Sequence, residues 1–440
     1  MRTPAATAAQ QRLRQLTGTA PARLRAAGAV LTALVLLFGV LTAWQVSTRA
    51  AAADQVVTHS QPLSQDAAEI YRSLADADTT AASAFLLAGN APPALRERYE
   101  GDLATAARLL AQAAARTDAS SDAQRWVAEL NQQLPQYAGL VETARANDRQ
   151  GLPLGGAYLR YASKQMQGTL LPTAQRLVEA ENRQLNSDYT AAESFAWTAF
   201  GFGVLTLGAL VWCQVLLLRR TNRVFNLGLV GASAAVLATL LWLVVGTFLA
   251  QLNLGDSRTH GADPLRVLNR ARIEALQSRA AENLDLVARG GSDTYDQDWL
   301  KYTTALAGDP AKRDGGRILG GTLSDARMNA PRDAVLALDQ AAKLFPAWSA
   351  RHKAAEEGDN YAAALQAVVG PEGTDTSAAV FAAMDEQLGK AAAAELAAFE
   401  DSAQGVDGGL TGLAVGAGVL ALLAAAGVTV GLGRRLAEYR

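Results

Sequence analysis

Arg219, Arg220 and Arg223 lie within the five residues "RRTNR", and Arg434 and Arg435 form a second basic pair near the end of the chain. Guanidinium groups at this density hold carboxylates, phosphates and anionic lipid headgroups through fixed forks of N–H donors. These five arginines are the candidate contacts for a cytoplasmic partner. The plainer reading of any one of them is that it sets topology and attracts anionic lipid. Other chemistry finds little to work with. The histidines are His59, His260 and His352, far apart, and Cys213 is the single cysteine, so there is no metal-ligand spacing and no intrachain disulfide. The chain lacks a P-loop, GxSxG and HExxH, and "GFGVLTLG" from Gly201 to Gly208 lacks the spacing of a dinucleotide-binding turn. No catalytic residue, cofactor or metal is expected, the protein is not read as an enzyme, and nucleic acid is not expected as a partner.

The elements that carry these arginines are apolar. Charge-free stretches run over Ala26–Thr48, Ser194–Leu218, Val224–Asn253 and Gly408–Gly433. Each reaches the roughly 20 residues needed to cross about 30 Å of hydrocarbon as a helix. The first 25 residues carry five arginines and no acid, whereas both long segments between spans are net acidic. The positive-inside tendency then places both termini and the central basic knot in the cytoplasm. The reading is an all-α membrane protein in the cell membrane. Its parts are a cytoplasmic basic tail (1–25), spans at 26–49, 193–218, 225–252 and 409–433, a cytoplasmic turn at 219–224, extracytoplasmic four-helix-bundle-like domains at 50–192 and 253–408, and a cytoplasmic tail at 434–440. "AAAD" at Ala51–Asp54 resembles a signal-peptide cleavage site, but the length of the first apolar stretch, with Trp44 and Arg49 at its edge, favours a retained anchor. The spans contain no charge to line a transport path; Thr206, Gln214, Thr239 and Thr247 are ordinary polar spots. Gly408, Gly412 and Gly416, with Gly427 and Gly431, give the last span small faces for close packing, most simply within the chain. Trp44, Trp197 and Trp212 read as interfacial anchors.

Helix formers dominate the two long segments, and heptad-like steps recur in both. Ile70, Leu74, Ala77, Ala81 and Ala84 mark one face; Ile273, Leu276, Ala280, Leu284 and Val287 mark the other. Breaks at Gly89–Pro93, Thr117–Ser121 and Gly151–Pro153 divide the first segment into about four helices, and breaks at Gly290–Gly291, Gly308–Thr322 and Gly370–Thr376 divide the second. "YRSLADADTTAASAFLLAG" (Tyr71–Gly89) and "ARIEALQSRAAENLDLVARG" (Ala271–Gly290) follow a span at similar intervals. The chain is therefore read as a duplicated unit of span, bundle and span. Scattered acids read as solvated helix faces, and Tyr99, Trp126, Tyr137, Tyr158, Tyr161, Trp299 and Trp348 as bundle core rather than binding surface. No ligand pocket is assigned from sequence.

"SAFLLAGNAPPALRERYEGDLATA" (Ser83–Ala106) resembles the extracytoplasmic four-helix-bundle sensor domains of bacterial chemoreceptors and sensor kinases, with Phe85, Leu86, Leu87, Gly89 and Tyr99 at the matching places. The whole arrangement of four spans, two large external helical domains and little cytoplasmic mass resembles the GlnX-type transmembrane proteins of actinobacteria. That resemblance implies amino-acid sensing through an extracytoplasmic glutamine-binding-type solute-binding lipoprotein, passed to the cytoplasmic Ser/Thr kinase PknG. It is architectural and assigns no residue a role. The expected function is a non-enzymatic membrane signal transducer or adaptor contacting membrane lipid and these two partners. The alternative is a passive cell-envelope scaffold, and the oligomeric state is left open.

Overall fold

In the computed structural model the described residues are 20–87, 91–117, 121–221, 226–257, 262–289, 293–309, 320–328, 330–357, 360–370, 375–404 and 407–437. Every regular element among them is helical, and no strand occurs. In chain order the helices are α1 (Ala20–Gln55), α2 (Gln61–Leu86), α3 (Pro93–Arg116), α4 (Asp122–Arg149), α5 (Leu154–Gln165), α6 (Leu171–Glu193), α7 (Trp197–Thr221) and α8 (Leu227–Ser257). They continue with α9 (Asp263–Ala288), α10 (Asp293–Ala307), α11 (Thr322–Arg327), α12 (Arg332–Glu356), α13 (Tyr361–Val369), α14 (Ser377–Gln404) and α15 (Asp407–Ala437). A single π turn joins α1 to α2 at Val56–Ser60, and another joins α5 to α6 at Met166–Leu170. Four helical runs are long and apolar enough to cross a membrane: Arg25–Leu86 and Leu154–Arg219 contain the first two charge-free stretches, and Leu227–Leu249 and Val415–Gly433 lie within the other two. The molecule is an all-α membrane protein.

The chain divides into two compact units. The first, Met1–Gln55, Tyr189–Gly255 and Gln404–Arg440, holds the candidate spans. Within it α15 and α7 both pack along α1, and Leu31, Val35, Phe38, Leu210, Leu229 and Val428 form a shared core. Glycine sets the closest approach. A side chain on Gly228 would collide with the Gly427 carbonyl oxygen and with Gly431 Cα, so only backbone-on-backbone packing fits there. Asn226 Nδ2 donates to the Gly431 carbonyl at 2.8 Å and locks this crossing. Gly416 is covered by the Trp242 ring, whereas Gly412 faces open space. The polar spots are satisfied locally. Thr206, Thr239 and Thr247 donate to carbonyls four residues back on their own helices, and Gln214 Nε2 donates to Ser233 Oγ at 3.0 Å. Trp44, Trp197 and Trp212 are all exposed, as are apolar neighbours such as Val40, Leu205 and Phe248. Such a surface suits lipid and not water.

The second unit combines Val56–Asp188 with Asp256–Ala403. Its first segment contains the expected helices: α2, α3, α4 and the run from α5 through the π turn into α6. Pro93 opens α3, Ser121 caps α4 by accepting from the Gln124 amide at 3.1 Å, and Gly151 supplies a left-handed residue (φ 69°) at the next turn. The second segment holds three long helices, α9, α12 and α14, together with the shorter α10, α11 and α13. Most of the Gly308–Thr322 connection lies outside the described residues, as do Gly290–Gly291 and residues 371–374.

The two segments do not bury separate cores. α2 packs directly against α9, and one continuous core runs from Ile70, Leu74 and Tyr137 to Leu276, Phe345, Trp348 and Met384. The reason lies in α2. Ile70, Leu74, Ala77 and Ala81 are buried as their spacing predicts, but every residue from Ser73 to Ser83 is buried too. A helix covered on all sides needs neighbours beyond a single bundle. Here the second segment supplies them.

Candidate functional site

α2 and α9 meet through polar side chains. Gln277 Nε2 donates to Tyr71 Oη at 2.5 Å, Thr79 Oγ1 to the Leu276 carbonyl at 3.3 Å, and Asn283 Nδ2 to both the Thr79 carbonyl (3.2 Å) and Ser83 Oγ (2.8 Å). Tyr71 pairs with Gln277 and Ser83 with Asn283, so partners advance together and the helices run side by side in the same direction. The separation along the chain stays between 197 and 206 residues. That interval matches the offset of the sequence repeat, so the seam joins equivalent helices of the duplicated unit.

Each of these helices also buries a carboxylate whose partners lie outside the seam. Asp78 is 2 % exposed and accepts from Ser163 Oγ (2.8 Å), Gln167 Nε2 (3.2 Å) and Tyr137 Oη (3.2 Å). The donors come from α5, the second π turn and α4, and Gln167 stands four residues after Ser163, on the same face. All three are neutral. Burial pushes the Asp78 carboxyl upward, against the opposing pull of the three hydrogen bonds.

Glu282 in α9 is equally buried but ionically paired. Arg279 donates to it from one turn earlier, Ser377 Oγ donates at 2.6 Å, Trp348 Nε1 donates at 3.2 Å, and His352 Nδ1 lies 3.4 Å away. Burial alone would raise its carboxyl. The Arg279 guanidinium, with His352 and Ser377, instead holds it down to about 2. The His352 ring stacks on Trp299 at 3.8 Å and 12°. His352 is the one histidine in this cluster, and the group facing its Nε2 is the Glu356 carboxylate at 3.4 Å.

A third cluster ties the segments together through charge. Asp76 accepts from Arg72 (3.3 Å) and Arg98 (2.9 Å), Arg98 reaches Asp385 of α14 at 3.1 Å, and Arg72 lies 3.6 Å from Asp102. Burial and the adjacent Asp76 push the Asp102 carboxyl up to about 8. Beyond these clusters, α2, α6, α9 and α10 enclose a cavity of about 890 Å³, lined by both segments.

Of the residues singled out in the sequence, Tyr99, Tyr137 and Trp348 are core, Trp126 and Trp299 are partly covered, and Tyr158 and Tyr161 are exposed. Arg219 is exposed at the end of α7. Arg220 belongs to the same helix, Arg434 and Arg435 to α15, and Arg223 lies outside the described residues. Among the described residues no group of histidine, cysteine or carboxylate side chains could hold a metal ion. The acids of α2 and α9 are what sequence reasoning missed, since it took acids as solvated. The signal was present: Asp78 stands four residues after Leu74 and three before Ala81, on the face that the heptad assigns to the core.

Residues 52–190 match the family model described as the actinobacterial sensor domain. The match takes in α2 to α6, including Asp78 and all three of its donors. No curated protein and no solved structure matches the chain. Residues 52–190 are thus similar to an actinobacterial sensor domain, carried in an all-α chain with four candidate membrane spans, and the match points to a sensing role of a non-enzymatic kind.

Proposed function

We propose that the protein is a non-enzymatic transducer that carries an extracytoplasmic cue to a cytoplasmic partner. In this reading the helical unit lies outside the membrane and responds to amino-acid availability, reported by a solute-binding lipoprotein. Arg219, Arg220, Arg223, Arg434 and Arg435 face a cytoplasmic Ser/Thr kinase and anionic lipid. The observation that carries the reading is the polar seam of α2 on α9. Small and hydrogen-bonding residues can exchange partners between two nearby packings, whereas interlocked apolar side chains resist sliding. Both helices follow a candidate span in the sequence, so a shift at the seam is a shift of two membrane-linked helices. A cue moves that equilibrium only as far as it binds one packing better than the other.

The test has two parts. A membrane-impermeant maleimide applied to intact cells should label Arg96→Cys in a Cys213→Ser background, because Arg96 is exposed in the helical unit. Protection of that site would place the unit inside and end this reading. Co-purification with and without external glutamate or glutamine should then change the inner partners recovered; an unchanged set describes a passive scaffold.

A further inference from the structure

The cavity between the segments has the makings of a ligand site. Its volume of about 890 Å³ lies within the range of small-molecule sites, roughly 300–1,000 Å³. It takes residues from both repeats: Gln61 and Tyr71 from α2, Arg183 from α6, Glu274 and Gln277 from α9, and Lys301 from α10.

Two features of this lining ask for a partner. Gln61 is 3 % exposed, and its side-chain carbonyl oxygen receives no hydrogen bond. A buried amide oxygen without a donor is costly, and a ligand hydroxyl or N–H would satisfy it. Arg183 and Lys301 supply the second feature. Both are exposed on the lining, and neither has a carboxylate within ion-pair distance among the described residues. Two acids also line the cavity, and both are engaged: Glu274 accepts from Thr322 Oγ1 at 2.5 Å and pairs with Arg270 at 3.4 Å, and Glu179 accepts from Gln175 Nε2 at 3.2 Å. The cavity therefore offers positive charge without a carboxylate partner at its open part, where Lys301 also lies 4.8 Å over the Tyr302 ring, and an unfilled acceptor in its wall.

We infer that this cavity binds a small organic anion directly, with the anionic group against Arg183 and Lys301 and a hydroxyl or amide N–H of the ligand donating to Gln61 Oε1. The volume suits a solute of sugar-acid or acylated amino-acid size. This rests on the sensor reading of the unit and adds that the unit meets the solute itself, without requiring a lipoprotein to report it. The ligand would also touch the seam, because Tyr71 and Gln277, which bond across α2 and α9, both line the cavity.

Calorimetric titration of the full chain in lipid nanodiscs tests this with two matched pairs of probes: glucuronate against glucose, and N-acetylaspartate against its diamide. At least one charged probe should saturate, with its neutral counterpart about tenfold weaker or worse. Arg183→Gln combined with Lys301→Gln should lower that affinity by about tenfold or more, and Gln61→Leu should also weaken it. The thermal unfolding of the double variant should match that of the parent, since both side chains are exposed. Failure of both charged probes to bind, equal binding of the neutral ones, or unchanged affinity in the double variant overturns the site. The two readings fail separately. Inner partners that respond to external solute while the probes do not bind leave the transducer without this site. A bound probe that changes no inner partner leaves the site without transduction.

Discussion

The two repeats solve one problem in opposite ways. Each places a carboxylate in the interior of its first helix, Asp78 in α2 and Glu282 in α9, and each removes it from water almost completely. Asp78 receives three neutral donors and no cation, and burial pushes it towards the protonated form. In that form the Tyr137 and Ser163 hydroxyls can turn from donor to acceptor, so the cluster tolerates either state of the proton. Glu282 has Arg279 against it and stays ionised. Its pair is fixed in charge and in geometry by Ser377, Trp348 and the stacked His352. The two helices thus share the burial of an acid but not its electrostatics. The first repeat holds an adaptable cluster, the second a rigid one.

The largest effect that would sharpen this contrast is Glu282→Gln, which strands the Arg279 guanidinium in the core and should cost about 3–5 kcal/mol of unfolding free energy, measured by denaturant titration in detergent. A cost no larger than that of Asp78→Asn would break the distinction. Next comes Asn283→Ala at the seam. It removes donors to the Thr79 carbonyl and to Ser83, and should cost about 1–3 kcal/mol, because both acceptors stay buried.

Acidity separates the clusters further. Glu282 has a folded value near 2 and an unfolded one near 4.3, so it binds fewer protons when folded. Its stabilisation is complete above about pH 5 and disappears as pH falls towards 2. Asp102, pushed up to about 8, and Glu395, pushed up to about 7 by burial, work the other way. Both hold a proton that the unfolded chain releases near pH 4, so their contribution is full below that value and is lost as pH rises towards 8. Asp102→Asn should flatten the decline between pH 5 and 8 by on the order of 1 kcal/mol, discounted because its surroundings remain partly solvated. Parallel curves for variant and parent would deny Asp102 its proton. The smallest effect belongs to Asp78→Asn, which keeps the acceptor and the shape and should cost under about 1 kcal/mol in the same titration. A loss comparable with that of Glu282→Gln would show that Asp78 is ionised after all.

The fold was legible where apolar residues carried it. The four spans, the heptad faces around Leu74 and Leu276, and the proline and glycine breaks all follow from residue type and spacing. The shared core was not legible, because the contacts that join the segments are made by Thr79, Ser83, Gln277 and Asn283, residues that a periodicity argument assigns to water. The charged cluster was hidden for a related reason: Arg98 finds Asp385 across 287 positions of sequence, and no local pattern announces such a pair. The small face at Gly427 and Gly431 packs within the chain, since only glycine permits the observed approach to Gly228.

The π turn at Met166–Leu170 holds one residue more than an α-helix of the same span would need. Deleting a residue from an ordinary helix swings everything beyond it by about 100° about the axis, enough to turn a core face outwards. Deletion within this turn should instead relax it to regular winding and leave Leu171–Glu193 facing as before. The chain thus holds a spare link next to Asp78, a place where length can change without rewriting the register of the helix that follows.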